Sequence, residues 1–259
     1  MEPIPFEMKD GRIWVQADLN GAIKTGILDT GSDGTAIDKV LAEELKLTSG
    51  RRQSATTVAS EMQVVKTDPV SFGLGSASLR ADEANIVPLG EHMKGLDFIL
   101  GFDALQKLPF TIDYANTLLR FGSMPHGMPA PFTISEDIRP TTQLRLAGVG
   151  LAALLDTGSR AGVSLPRAWV KANLVGLRLG ESSKHLVLGS EVESQRFELD
   201  EISVGGISLA KVEAQSVVAD EGSFGDQESS WATIGNVTMG MFAQIGVDGR
   251  QRAIVFIPR

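Results

Sequence analysis

Two aspartates stand in nearly identical surroundings, Asp29 in GILDTGSDG (26–34) and Asp156 in ALLDTGSRAG (153–162). Each closes an apolar run and opens a turn of small polar residues, a pattern that by itself predicts only a strand ending in a turn. Recurrence changes the weight of that reading. Duplicated domains often pack about an approximate two-fold axis, which can set equivalent residues face to face. Two carboxyls within hydrogen-bond distance cannot easily hold two charges, so they share one proton and one macroscopic pKa of the pair rises. An identical pair of residues thereby supplies both a base and an acid. The ionised member can take a proton from a trapped water as it attacks a carbonyl. The protonated member can donate a hydrogen bond to the oxygen on which negative charge develops.

The elements that would position such a pair are themselves repeated. PIPFEM (3–8) aligns with PAPFTI (129–134), and VQADLNGAIKTGILDTGS with TQLRLAGVGLAALLDTGS, with Gly21 and Gly148 in register as hairpin turns. VASEMQ (58–63) aligns with LGSEVE (188–193), VSFGLG (70–75) with ISVGG (202–206), FILG (98–101) with ATIG (232–235), and TIDYANTLLRF (111–121) with GVDGRQRAIVF (246–256). Apolar residues alternate at Ile13, Val15, Ala17 and Leu19, at Val70, Phe72 and Leu74, and at Ile202 and Val204, which predicts short strands. Helix is expected only over DKVLAEEL (38–45), PRAWVKANL (166–174) and brief stretches after FILG and ATIG. The Pro- and Gly-rich GSMPHGMPAP (122–131) reads as a connection. The expected organisation is two mainly β lobes, residues 1–122 and 132–259, joined by a linker over 123–131.

This ordered set resembles the retropepsin and pepsin clan of aspartic peptidases. The shared features are apolar-apolar-Asp-Thr-Gly-Ser, a later apolar-apolar-Gly (Ile99, Leu100, Gly101 and Thr233, Ile234, Gly235) and a closing strand of the IDYANTLLRF type. The resemblance covers nearly all of both halves and is closest to a compact retropepsin-like unit fused in tandem. It implies a bilobal β fold and hydrolysis of peptide bonds in a peptide or unfolded-protein substrate, without metal or other cofactor, by a chain whose monomer suffices to build the site. Carried over by position, Asp29 and Asp156 are the catalytic residues. Thr30 and Thr157 brace the two loops across the axis, Gly31 and Gly158 allow close approach, and Ser32 and Ser159 hydrogen-bond the outer carboxylate oxygens. Gly101 and Gly235 give clearance beneath the loops. The family's flap over the substrate is expected at VASEMQ and LGSEVE, with Val58, Met62, Leu188 and Val192 as substrate contacts in a chain whose sole tyrosine, Tyr114, lies elsewhere. A peptide-binding module of the same fold without activity is the alternative, since fold alone does not establish function.

The loops diverge after the shared string, where Asp33 follows Ser32 and Arg160 follows Ser159. The resemblance gives Asp33 a place against substrate backbone. Arg160 is expected either to meet an acidic substrate side chain or to make a structural salt bridge, the second reading weighing slightly more.

Other chemistries fail on their spacing. Counting from Asp29 as a calcium loop places Gly31 at the third ligand position and Val40 at the twelfth. GVGLAA (148–153) sits in a hairpin and not at a helix start, and NVT (236–238) fits a glycosylation acceptor only by accident of position. His92, His126 and His185 lack metal-site spacing, and there is no cysteine, so disulfides and thiolate chemistry are excluded. A net charge of −8 argues against nucleic acid or an anionic membrane surface as partner. No run approaches the length of a membrane span. An exported location, periplasmic or secreted, is favoured over the cytoplasm on the assumption that a signal peptide has been trimmed.

Overall fold

The computed structural model describes residues 1–47, 51–56, 61–130, 132–134, 139–174, 180, 182–187, 190–218 and 231–259. In the first half, Arg12–Leu19 turns through Asn20 and Gly21 into Ala22–Asp29, the register running from Trp14 opposite Ile27 to Leu19 opposite Ala22. Both turn residues have positive φ, 56° and 87°, the primed geometry whose twist suits a two-residue hairpin. Ile13, Val15, Ala17 and Leu19 point inward while Gln16 and Asp18 stay exposed, as the alternation predicts.

The strand Phe98–Gly101 lies parallel to Ala22–Asp29, with Gly101 opposite Asp29, and antiparallel to Ala36–Asp38. The second half repeats this order. Pro140–Leu146 and Val149–Leu155 form the hairpin, Trp231–Ile234 runs parallel to the latter with Ile234 opposite Leu155, and Val163–Leu165 lies antiparallel beyond it. A parallel neighbour thus fixes each strand that ends in the DTGS turn.

The halves differ farther out. The second carries one long hairpin, Ser190–Val204 with Ile207–Val218, whereas the first breaks the equivalent course into Glu61–Lys66, Val70–Leu74, Ala77–Ala81 and Asn85–Val87.

Helices are short: Lys39–Glu44, Phe102–Leu105, Arg167–Asn173 and Asn236–Met239 form where expected. Asp38 caps the first of them, accepting from the Val40 N–H at 2.9 Å. Leu89–His92 is a further turn of helix that the sequence reading did not find. It covers a satellite apolar cluster of Trp14, Ile27, Ala36, Leu89, Leu96 and Ile99. No helix among the described residues is long and apolar enough to cross a membrane.

A third, six-stranded sheet draws on both halves, in the order Ile4–Pro5, Leu118–Phe121, Phe110–Asp113, Phe242–Asp248, Ala253–Pro258, Pro129–Ala130. Phe110–Asp113 pairs directly with Phe242–Asp248, Ile112 opposite Ile245. Pro129–Ala130, within the stretch read as a connection, is an edge strand there, a position that tolerates proline. One continuous apolar core runs through both halves and contains Phe72, Phe98, Phe102, Phe110, Phe121 and Phe242, all fully buried. The result is a mainly β, bilobal molecule with the fold of aspartic proteases.

Candidate active site

The two DTGS turns meet at the junction of the halves, and the threonines lock them. Thr30 Oγ1 donates to the carbonyl of Leu155 at 2.6 Å and accepts from the Thr157 N–H at 3.1 Å. Thr157 Oγ1 donates to the carbonyl of Leu28 at 2.7 Å and accepts from the Thr30 N–H at 2.9 Å. Each hydroxyl therefore satisfies buried backbone of the opposite half, where an unpaired group would be costly.

The carboxyls sit just above this lock. Asp29 Oδ1 accepts from the N–H groups of Gly31 and Ser32 at 2.9 and 3.1 Å. Asp156 Oδ1 accepts from Gly158 and Ser159 at 2.9 and 3.0 Å. Each glycine also lies against the carboxyl of the other half. A Cβ on Gly31 would stand 2.5 Å from Asp156 Oδ1, and one on Gly158 would stand 2.5 Å from Asp29 Oδ1. Only glycine admits that approach, and it brings the two aspartates side by side, with a hydrogen bond between their side chains.

Burial is the largest influence on both carboxyls and pushes both pKa values up. For Asp156, the negative charge of Asp29 and the hydrogen bond to it push further in the same direction. For Asp29, the hydrogen bond from Asp156, the N–H groups of Gly31 and Ser32 and the positive charge of Arg12 pull the other way. Burial and mutual repulsion thus favour a single proton held by the pair over two charges.

The serine hydroxyls turn along their loops. Ser32 Oγ donates to the Gly34 carbonyl at 2.7 Å, and Ser159 Oγ accepts from the Ala161 N–H at 3.3 Å. What reaches the carboxylates from these residues is the backbone N–H, because the tight turn points it at Oδ1 and turns the hydroxyl along the loop.

Asp33 and Arg160 are both exposed on their loops. Arg160 makes no salt bridge among the described residues. Val58 and Leu188 lie outside the described residues. Met62 lies on Glu61–Lys66, which pairs with Arg52–Thr56, and Val192 on Ser190–Val204, which pairs with Ser182–Val187. Each thus belongs to a hairpin arm.

Two contributors went unnoticed in the sequence. Arg12 Nε donates to the Gly158 carbonyl at 2.8 Å, tying the start of the first hairpin to the opposite active loop. Asn236 is buried, its Nδ2 donating to the carbonyls of Thr157 at 2.6 Å and Gly11 at 2.9 Å while Oδ1 accepts from the Tyr114 hydroxyl at 2.8 Å. A side chain so engaged is no glycosylation acceptor. Its position directly after ATIG was the one available signal.

Fold and site together define an aspartic-protease scaffold. Residues 15–104 match the family model described as Aspartyl protease, so that stretch is similar to an aspartyl protease domain. The stretch contains the Asp29 loop and the parallel strand beside it. Comparison with curated proteins gives no match.

Proposed function

We propose that the protein is an aspartic endopeptidase built from two retropepsin-like units in tandem, residues 1–122 and 132–259 about a connection at 123–131. In this reading Asp29 is the base that activates water. Asp156 carries the proton that polarises the peptide carbonyl, then passes to the leaving nitrogen. The observation that carries the proposal is the pair of carboxyls set side by side, each seated on N–H groups of its own turn and against the glycine of the other. The hairpin arms Arg52–Thr56 with Glu61–Lys66 and Ser182–Val187 with Ser190–Val204 act as flaps, and the substrate lies extended between the halves as an added strand.

The test is cleavage of an unstructured protein such as casein by the full chain. Asp29→Asn and Asp156→Asn should each lower kcat by at least about a thousand-fold, because the pair works as a unit. Undiminished turnover in either variant would remove that aspartate from the chemistry. Peptide binding without any turnover in the parent would identify an inactive binding module.

A further inference from the structure

Arg160 occupies, on the second loop, the place that Asp33 holds on the first. Two backbone contacts bring it to Arg12. Gly11, at φ +70°, lies flat against Arg160, so that a Cβ there would stand 2.6 Å from Arg160 Cβ. Arg12 Nε meanwhile holds the Gly158 carbonyl at 2.8 Å. Residues 11–12 of one half are thereby strapped across 158–160 of the other, and two guanidinium groups project from touching segments. Burial, and after it the repulsion from Arg160, lowers the Arg12 pKa below its ordinary value. Arginine nevertheless keeps its charge in proteins.

No carboxylate among the described residues lies within ion-pair distance of either group. Asp10, Asp29 and Asp156 attract Arg12 only from farther away. An acid at position 160, like Asp33 on the other loop, would have neutralised Arg12 across the junction. Arg160 instead leaves a doubly positive site beside the paired aspartates, with Arg160 exposed and Arg12 partly so. Like charges held together are stabilised by an incoming counter-charge, and planar guanidinium groups match a carboxylate by paired hydrogen bonds.

We propose that Arg12 and Arg160 form a carboxylate-binding subsite that selects peptides bearing an acidic group on one side of the cleaved bond. The inference rests on the peptidase reading. Selection is one-sided because Asp33, at the equivalent place on the opposite loop, repels an acid. The carboxylate is either an Asp or Glu side chain or the free C-terminus of a short peptide, since both present the same two oxygens.

The test uses the full chain and fluorogenic peptides identical except for Glu or Gln at each position flanking the cleaved bond, each made with a free and an amidated C-terminus. At one position Glu should exceed Gln in kcat/KM by about ten-fold or more. If the gain instead follows the free C-terminus and vanishes on amidation, the subsite holds the terminal carboxylate. In Arg160→Gln the ratio should collapse toward unity, and in Arg160→Asp, where the new carboxylate pairs with Arg12, it should fall to unity or below. Ratios within about two-fold at every position and at both C-termini, or a preference that survives Arg160→Gln, would overturn the subsite. Should no peptide be cleaved, the peptidase reading fails separately. Anisotropy titration of the same dye-labelled peptides then decides the subsite, which requires about ten-fold tighter binding of the acidic peptide and loss of that difference in Arg160→Gln.

Discussion

The electrostatic conflict in this molecule is concentrated in two carboxyl groups. A carboxyl whose folded pKa lies above its unfolded value binds its proton more tightly in the native state. Stability therefore falls as pH climbs from the unfolded value, near about 4, toward the folded one. Asp156 is raised by burial and by the charge of Asp29, so it weakens the fold at neutral pH and not in acid. Asp156→Asn, which keeps the oxygen that accepts from Gly158 and Ser159, should melt about 2–4 °C above the parent at pH 7 and level with it near pH 3. Melting curves at the two pH values check this, and a variant no more stable at pH 7 would contradict the assignment. The aspartates, threonines and glycines of the loops were legible because the same string is written twice. Arg12 and Asn236 were not, because each earns its place through atoms of the opposite half that no local spacing reveals. The serines show a subtler limit. The group that reaches each carboxylate is the N–H, which every residue but proline has, so the serine type carries no signal for this contact.

At the scale of elements, each active loop depends on a strand end in the other half. Thr30→Val keeps the shape of the side chain but strips the Leu155 carbonyl and the Thr157 N–H of their partners. It should cost about 2 kcal/mol in urea unfolding and lower turnover, whereas Thr30→Ser, which retains the hydroxyl, should restore most of both. Equal stability of the valine and serine variants would show that the hydroxyl is not what couples the loops. The hairpins, the helix after Asp38 and the turns after FILG and ATIG could be read from alternation, capping and glycine placement. The helix Leu89–His92 could not, since four residues do not display a helical period. Nor could the interruption of the first half's long hairpin, because strands of both halves share one alternation and differ only in where pairing is broken.

For the molecule as a whole, Asn236 is the point where three parts meet: the second active loop at Thr157, the first half's Gly11 and, through Tyr114, the segment after the inter-half strand Phe110–Asp113. Asn236→Ala leaves two carbonyls and a buried hydroxyl unpaired. It should lower stability by about 2–4 kcal/mol and reduce kcat even though the side chain touches no carboxylate. Denaturation together with kcat measurement checks this, and an unchanged unfolding midpoint would refute it. The recurrence of LDTGS and of the segments around it is what suggested a two-lobed plan in the sequence. The six-stranded sheet shared between the halves was only half visible: the closing strands of each half were foreseen, but the edge strand Pro129–Ala130 fell in the expected linker, and pairing across more than a hundred residues is a matter of topology.

That shared sheet also sets an order in time. Phe110–Asp113 is made before its neighbour Phe242–Asp248, which follows more than a hundred residues later. Until then the first half carries an open sheet edge and a threonine with no opposite loop to grip. The long sequence separation slows the closing step and leaves that edge exposed to wrong pairing while it waits. The same delay means that Asp29 has no partner during elongation. A nascent chain therefore emerges without a complete pair of aspartates, and the pair is assembled only when the last strands of the shared sheet find their places.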